Sequence, residues 1–270
     1  MSTITARHTI RGIQLRTAGS EGTAVVLLHG IGGSSASFER QLPALATSHR
    51  AYAWDAPGYG GSTDDVPGTL TGYADLLVEL LDELIIDTAH LVGVSWGGVI
   101  ATRTALRHPG RVRSLVLADS TRGSASSHES AQRMLRRADQ LRSLGSAEFA
   151  RQRGPRLTAP DAEAATVDQV VSIMSELRQV GYDAAVRSMA ETDHTVDLAR
   201  ITVPTMVVVG EQDGVTGVTE SEELASRIPG ARLRVIGGGH AANQERPAQF
   251  NATVSGFLAT VDAGDPAGSS

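Results

Sequence analysis

The stretch "LVGVSWGGVI", residues 91–100, places one serine between a short apolar run and a pair of glycines. Glycine in an ordinary strand or helix costs about 0.5–1 kcal/mol relative to alanine, so the glycines around Ser95 indicate a backbone that needs room. The five residues from Gly93 to Gly97 match the pattern G-x-S-x-G, after a strand-like run and before a helix-like one. In that context the pattern predicts a tight strand-to-helix turn that raises the serine hydroxyl above a sheet.

Short apolar runs recur along the chain, and their length is typical of the buried strands of a parallel sheet. Helical patterns such as "YADLLVELLDELI" (73–85) lie between several of them. This alternation predicts an α/β protein with a doubly wound, mostly parallel sheet. The segment from His8 to Arg16 is interpreted as an antiparallel edge strand. The runs are "AVVLLH" (24–29), "RAYAWD" (50–55), "AHLVGV" (89–94), "RSLVLAD" (113–119), "TMVVVG" (205–210) and "RLRVIG" (232–237).

The alternation stops in residues 121–200, where the sequence shows amphipathic helical patterns and no strand-like run. Because the strand pattern resumes at Val203, we interpret this block as a helical cap inserted into a core made of residues 1–120 and 201–262. Insertions at the carboxyl end of a parallel sheet lie where ligands bind. The tail, 263–270, has turn and linker composition and is expected to be disordered.

Composition narrows the classes of function. The chain has 270 residues, 41% of them hydrophobic, and a formal net charge of -6, so nucleic acid and anionic membrane surfaces are poor partners. Cysteine is absent, which excludes disulfides and thiol nucleophiles, and the absence of lysine excludes a phosphate-loop lysine and a Schiff base. No secretory signal or membrane-spanning run is found, which predicts a cytoplasmic protein.

A serine hydroxyl becomes nucleophilic when a base takes its proton and an acid orients that base. Of the eight histidines, His240 is the best base, because it follows the last strand-like run and should lie at the same sheet end as Ser95. Asp213, in "VVVGEQDGV", follows the preceding run and could orient His240. We therefore predict that Ser95, Asp213 and His240 are catalytic. Asp119, at the end of "RSLVLAD", is the alternative acid, and Glu211 is a further competitor.

Acyl chemistry also needs donors for the oxyanion of the tetrahedral intermediate, and the loss of one costs about 2.7–4 kcal/mol of barrier stabilisation. One donor is expected to be the backbone N–H of Trp96, the residue after the nucleophile. The other is expected to be the N–H of Ile31, in "LLHGIGGS" (27–34). The predicted serine, histidine, aspartate and amide groups require no cofactor. The sequence also lacks the paired-histidine spacing that would predict a metal site.

Taken together, these motifs resemble the α/β-hydrolase superfamily from about Ile10 to Val261. Within it, the chain is most similar to small capped bacterial serine esterases and 3-oxoadipate enol-lactonase-like hydrolases. The resemblance implies an α/β-hydrolase fold with a helical cap. It also implies cleavage of a small carboxylic ester or (enol-)lactone through a Ser-His-Asp triad and an acyl-enzyme. The motifs are "HGIGG" (29–33), "DAPGYGGS" (55–62), "GVSWGG" (93–98), "GEQD" (210–213) and "GGGH" (237–240).

Other members of the superfamily supply the alternatives. Haloalkane dehalogenases and epoxide hydrolases carry aspartate at the nucleophile position, and Ser95 argues against both. The meta-cleavage C–C hydrolases usually have a longer glycine-proline loop and a tryptophan after the histidine, where this chain has "HGIGGSS" and "GHAAN". These departures count against C–C hydrolysis, which stays an alternative, as does a cofactor-free perhydrolase or haloperoxidase. A hydrolase-like receptor for a small molecule is another, with the triad retained and turnover negligible.

The predicted cap is rich in arginine, which could bind a substrate carboxylate. Arg122 follows the strand that ends at Asp119, so we expect it near the mouth of the site. Since aromatic residues make up only 4% of the chain, Phe38 and Trp96 are the expected large walls of the pocket. The expected partner is a small-molecule ester or lactone.

Overall fold

The structure, a computed structural model, describes residues 6–264, with side chains from residue 8 onward. Its strands are β1 Ala6–Ile10, β2 Ile13–Ala18, β3 Ala24–Leu28, β4 Arg50–Trp54, β5 Ala89–Val94, β6 Val112–Ala118, β7 Thr205–Gly210 and β8 Arg232–Ile236. They form one sheet in the order β1-β2-β4-β3-β5-β6-β7-β8, in which β3 to β8 are parallel. The predicted strand runs are thus β3 to β8, and the predicted doubly wound, mostly parallel sheet is confirmed.

Helices cover both faces of this sheet, which explains why β3, β5 and β7 are buried at every residue. Within β5, Leu91 belongs to one hydrophobic cluster and Val92 to another. The α-helices are α1 Leu42–Leu45, α2 Leu70–Glu83, α3 Trp96–Arg107, α4 His128–Leu144, α5 Ser146–Arg153, α6 Ala164–Ser175, α7 Gln179–Ala190, α8 Gly217–Arg227, α9 Ala242–Glu245 and α10 Pro247–Asp262. The first cluster includes residues of α2, α3 and α8, and the second includes residues of α1 and α10.

The predicted single edge strand from His8 to Arg16 is instead a hairpin of β1 and β2. Arg11 and Gly12 form its two-residue turn, with φ of 50° and 78°. Positive φ at both central residues belongs to the type I′ turn, whose twist matches that of paired antiparallel strands. The interpretation as one strand was wrong because arginine carries little signal for this conformation. β2 continues the sheet by pairing antiparallel with β4.

Residues 121–200 contribute α4 to α7 between β6 and β7, and none of the eight strands lies in this segment. Helix α4 packs on α7, and α5 packs on α6. A single antiparallel bridge joins Gly123 to Asp193, where the segment leaves and re-enters the sheet layer. The division into core and cap stays a prediction. Ala263 and Gly264 form a turn after α10, and the remainder of the predicted disordered tail lies outside the described residues.

No helix within residues 6–264 has both the length and the apolar character needed to cross a membrane. The cytoplasmic location stays a prediction from the sequence.

The glycines around Ser95 permit a close approach of strand, helix and neighbouring loop. A Cβ on Gly97 would lie 2.0 Å from the carbonyl oxygen of Leu28, and a Cβ on Gly93 would lie 2.4 Å from the backbone of Gly97. Both distances are far below van der Waals contact, so only glycine fits without movement of backbone. Close packing therefore explains why the residues around Ser95 are glycines.

We predict that Gly97→Ala lowers the free energy of unfolding by about 1–3 kcal/mol, the usual cost of overpacking a tight interior. The matched control is Gly256→Ala in α10, where an added Cβ meets no atom within 4 Å. There we expect a gain of about 0.5–1 kcal/mol, because alanine is the better helix former. Urea unfolding of the two variants measures both effects, and equal shifts would contradict the packing account.

Candidate active site

Ser95 lies at the turn between β5 and α3, with φ of 53° and ψ of -117°. A positive φ is rare for a residue with a Cβ, and such strain persists only where neighbours hold it. The Ser95 N–H donates to the carbonyl oxygen of Ala118 at 2.8 Å, and the Ser120 hydroxyl donates to the Ser95 carbonyl oxygen at 2.9 Å. These bonds tie the turn to the end of β6 and hold Ser95 at the carboxyl edge of the sheet.

Three side chains from separate loops form a hydrogen-bonded series at this edge. The Nε2 atom of His240 lies 3.1 Å from the Oγ atom of Ser95, and its Nδ1 atom lies 3.0 Å from the Oδ2 atom of Asp213. His240 and Asp213 are both at most 8% exposed. The structure thus brings together the three residues predicted to be catalytic, at distances suited to proton transfer.

The carboxylate of Asp213 is held in its charged form. Its Oδ1 atom accepts from the Val215 amide at 2.7 Å, and its Oδ2 atom accepts from the Thr216 hydroxyl at 2.6 Å. Burial raises the pKa of Asp213, but the hydrogen bonds from His240 and Thr216 outweigh burial and leave that pKa well below its ordinary value. An ionised Asp213 can accept a hydrogen bond from the Nδ1–H group of His240. The Nε2 atom then carries no proton and is free to act as a base.

The loop that carries His240 is fixed by a buried carboxylate that sequence reasoning missed. Glu245, in α9, accepts from the Gly239 amide at 2.9 Å and from the Ala159 amide at 2.9 Å. The Ala241 amide also donates to the carbonyl oxygen of Leu157. These contacts join the His240 loop to the segment between α5 and α6.

Asp119, the alternative acid, occupies a different place. Its Oδ1 atom accepts from the Gly210 amide at 2.8 Å, whereas its Oδ2 atom is buried without a hydrogen-bond partner among the described residues. Burial and the nearby Asp213 carboxylate raise the pKa of Asp119 well above its ordinary value. Since His240 bonds to Asp213 and not to Asp119, the geometry favours Asp213 as the orienting acid.

Of the two amides predicted to hold an oxyanion, that of Trp96 follows Ser95 in the chain, and Ile31 lines the same cavity as Ser95. The N–H groups of Ile31 and Trp96 make no hydrogen bond to a turn, loop or cap acceptor in the described part of the chain. Trp96 is the first residue of α3, where helical amides have no partner within the helix. His29 shapes the other loop, since its Nε2 atom accepts from the Ala56 amide and its Nδ1 atom donates to the Gly30 carbonyl oxygen.

A cavity of about 140 Å³ opens above these residues. Its floor includes Ser95, His240 and Ile31, at the carboxyl edge of the sheet. Part of its wall comes from the segment between β6 and β7, with residues from each of the helices α4 to α7. Half of the lining residues are aliphatic, sulfur-containing or aromatic, which suits a small organic molecule placed against the serine hydroxyl.

Comparison with known proteins identifies the family of the fold. Residues 23–247 match the family model of the alpha/beta hydrolase fold, which is most of the chain. The chain belongs to the α/β-hydrolase family. The resemblance found in the sequence motifs is therefore confirmed, together with the fold that it implied.

This α/β hydrolase has relatives with several activities. It is 26% identical to 3-oxoadipate enol-lactonase 1 of Acinetobacter baylyi over 241 residues, which is 88% of this chain and 89% of the relative. It is 31% identical to a protein of Variovorax paradoxus named as a carbamate hydrolase, RutD, over 90% of this chain and 94% of the relative. Among solved structures, the enol-lactonase of Burkholderia xenovorans matches with a TM-score of 0.86 at 25% identity, covering 94% of this chain and all of that one.

Only one of the three predicted substrate contacts of the hydrolase lines the cavity. Phe38 lines the cavity, whereas the side chains of Trp96 and Arg122 do not. The Trp96 ring packs edge-on against Tyr73, and its Nε1 atom donates to the Ser188 hydroxyl at 3.0 Å, so α3 directs it into the core. Arg122 is turned toward α8, where its Nη2 and Nε atoms donate to both carboxylate oxygens of Glu220 at 2.9 and 3.0 Å.

Two other arginines, which sequence reasoning did not single out for testing, line the cavity of the hydrolase. They are Arg137, in α4, and Arg153, at the end of α5. The amphipathic pattern of α4 indicated a buried face, but adjacent arginines at 136 and 137 gave no sign of which one faces inward. That distinction depends on how the helices pack over the sheet.

One group of side chains in residues 6–264 has the spacing of a metal site, and it lies at the other end of β5. The ligand atoms of His49, His90 and Asp262 fall within 4.8 Å of one another. Asp262 already accepts from Arg113 at 2.6 Å and from Thr23 at 2.7 Å. A guanidinium bonded to the carboxylate disfavours a cation there, and the contacts are those of a polar network that attaches α10 to the sheet.

Buried histidines make the stability of this hydrolase depend on pH. Burial, followed by repulsion from Arg103, lowers the pKa of His194 to about 4, and neither ring nitrogen has a hydrogen-bond partner among the described residues. The unfolded chain, with an ordinary histidine pKa of about 6.5, then binds more protons than the folded chain between those two pH values. The free energy of unfolding therefore falls as the pH is lowered through that window.

We predict that His194→Leu reduces the fall in the free energy of unfolding at low pH, because leucine fills the site and cannot be protonated. Urea unfolding at a series of pH values between about 4 and 6.5 measures the slope. His8→Gln, at an exposed position in β1, is the control and should keep the slope of the unmodified protein. A slope in His194→Leu equal to that of the control would contradict the prediction.

Proposed function

We propose that this α/β hydrolase is a serine hydrolase that cleaves a small carboxylic ester or lactone through an acyl-enzyme. The observation that carries the proposal is the hydrogen-bonded series from Ser95 through His240 to Asp213, with Ser95 and His240 at the floor of a largely apolar cavity. A structural role alone gives no reason for a strained serine, a buried histidine and an ionised aspartate to meet in one cavity.

The mechanism follows from the positions of these groups. Ser95 Oγ attacks the substrate carbonyl carbon while His240 Nε2 takes the hydroxyl proton, and Asp213 stabilises the resulting imidazolium. The amides of Ile31 and Trp96 donate to the oxyanion. His240 then gives its proton to the leaving oxygen, which departs and leaves the acyl group on Ser95. A water molecule, deprotonated by His240, attacks the acyl carbon and releases the acid, and the proton returns to Ser95.

The segment 121–200 is proposed to act as the cap of this site. Its helices α4 to α7 supply most of the upper wall of the cavity, so a substrate must pass beside them. Closure over the carbonyl would exclude water and strengthen the hydrogen bonds to the oxyanion. The contacts from Glu245 to Ala159 and from Ala241 to Leu157 would couple cap position to His240.

A carbamate is the second candidate substrate, because the Variovorax relative named as a carbamate hydrolase covers nearly the whole chain. Attack by Ser95 on a carbamate carbonyl uses the same base and the same oxyanion donors. The enol-lactonase relatives favour the ester or lactone, and both the sequence and the structural comparison include one.

Multiple-turnover kinetics on a substrate panel tests the proposal. The panel contains a p-nitrophenyl ester, an enol-lactone, a carbamate and a C–C substrate of the meta-cleavage type, each at several concentrations. We expect sustained turnover of the ester and lactone. Preference for the carbamate or the C–C substrate would overturn the ester assignment. A single acylation without turnover on every substrate would favour the receptor alternative.

A further inference from the structure

The charge inside the cavity is unbalanced. Arg137 and Arg153 both line it, and no aspartate or glutamate is among the residues that line it within the described chain. The protein as a whole is acidic, with 30 acidic and 24 basic residues. The absence of a carboxylate from this wall is therefore a local property of the cavity and does not follow from composition.

Both guanidiniums also lack a hydrogen bond or ion pair to any residue between 6 and 264. Nearby arginines on the same helices do have such partners: Arg133 bonds to Glu129, and Arg151 bonds to Glu148. Arg137 and Arg153 thus differ from these two outward arginines in having no acidic partner. Neither Arg137 nor Arg153 is fully exposed, so water cannot solvate them as it does a surface side chain.

This arrangement is unfavourable for an empty cavity. Burial, together with repulsion from Arg153, lowers the pKa of Arg137 to about 10, yet the group stays charged at neutral pH. Two like charges in a partly dry site gain when an anion binds between them, because the anion replaces lost water and screens their repulsion. Tyr182, buried beside both, lines the same cavity and offers a hydroxyl.

We propose that Arg137 and Arg153 form an anion subsite that binds a carboxylate carried by the substrate itself. This inference rests on the proposed function and names its substrate class: monoanionic esters or lactones in which a short aliphatic chain links the scissile carbonyl to a carboxylate. Planar guanidiniums match carboxylates through paired hydrogen bonds. The aliphatic walls contributed by Met134, Ile173 and Met174 suit the chain between the two ends.

The test compares two substrates that differ only at the chain end. These are mono-4-nitrophenyl glutarate, which ends in a carboxylate, and 4-nitrophenyl valerate, which ends in a methyl group. For the unmodified protein we expect a higher kcat/KM on the glutarate ester. In Arg137→Met and Arg153→Met we expect KM for that ester to rise about 10–100-fold, the worth of one hydrogen bond to a charged group. The valerate kinetics should stay unchanged.

Two further variants separate a role in recognition from a role in folding. Arg136→Met removes an exposed neighbour on the same helix and should leave the ratio between the two substrates unchanged. Arg137→Lys retains the positive charge and should restore part of the preference for glutarate. Equal losses on both esters in Arg137→Met and Arg153→Met, or no preference in the unmodified protein, would overturn the proposal.

Calorimetric titration with glutarate keeps the subsite testable if no ester is turned over. The free dicarboxylate needs only the anion subsite, so its binding does not depend on Ser95 chemistry. We expect binding to the unmodified protein and to Arg136→Met, and loss of binding in the Arg137→Met, Arg153→Met double variant. Failure of turnover with this pattern would reject the proposed function alone, whereas binding unaffected by the double variant, or no binding at all, would reject the subsite.

Discussion

Ser95→Ala is expected to lower kcat on an ester substrate by a factor on the order of 10⁶, the loss seen when a serine hydrolase loses its nucleophile. The reason is chemical, because alanine cannot form the acyl-enzyme and only positioning and the oxyanion amides remain. Steady-state kinetics with stopped-flow or prolonged sampling measures the residual rate. The unfolding curve should barely move, since Ala fits wherever the serine Cβ already lies.

Ser37→Ala is the matched control for this loss, since Ser37 places a second hydroxyl in the wall of the same cavity. Its Oγ atom lies 3.5 Å from the Ser34 amide and has no contact with His240. We expect its kcat to stay within about tenfold of the unmodified value, an effect of about 1.4 kcal/mol or less. A comparable collapse in both variants would show that the assay reports cavity shape and not the nucleophile.

Asp213→Asn is expected to lower kcat by about 10⁴-fold, with little change in KM. Asparagine keeps the size of the side chain but can present its amide to His240 Nδ1, which favours the wrong tautomer of the imidazole. The bonds from Val215 and Thr216 to the same side chain should keep the loop in place. Steady-state kinetics on the ester that the panel identifies gives kcat and KM separately.

Asp119→Asn distinguishes the two candidate acids. Asp119 has no contact with His240, and burial favours its neutral form, so an amide there preserves the bond from the Gly210 amide. The expected loss in kcat is less than about tenfold, or about 1.4 kcal/mol. A loss in Asp119→Asn larger than in Asp213→Asn would reverse the assignment of the orienting acid.

Most of the core fold could be predicted because its strands are buried on both faces. Such strands read as continuous apolar runs, and β5 and β7 are buried at every residue. The turn at Arg11 and Gly12 could not be predicted in the same way. Its conformation depends on backbone pairing between β1 and β2, and an arginine with positive φ leaves no distinct pattern in the sequence.

The placement of Ser95, Asp213 and His240 followed from topology. Each residue comes within three residues of the end of a predicted parallel strand, and the carboxyl ends of parallel strands meet at one edge of the sheet. No knowledge of side-chain packing was needed to expect the three to be neighbours. The spacing along the chain therefore carried the information for this part of the site.

Substrate contacts in the predicted cap were less accessible to sequence reasoning. Arg122 was favoured for its closeness in sequence to β6, but the carboxylate of Glu220, 98 residues away, draws it out of reach of the cavity. Arg137 lies inward because of how α4 packs on α7, which no local pattern specifies. The Trp96 ring was expected in the pocket, whereas the direction of α3 carries it toward Tyr73.

The central claim is that Ser95 is an activated nucleophile, and covalent labelling tests it most directly. The folded protein is exposed to a fluorophosphonate, and the intact mass is measured beside that of Ser95→Ala. The account predicts a single adduct on the unmodified protein and none on the variant. An unlabelled protein, or an adduct that forms equally in Ser95→Ala, would contradict it.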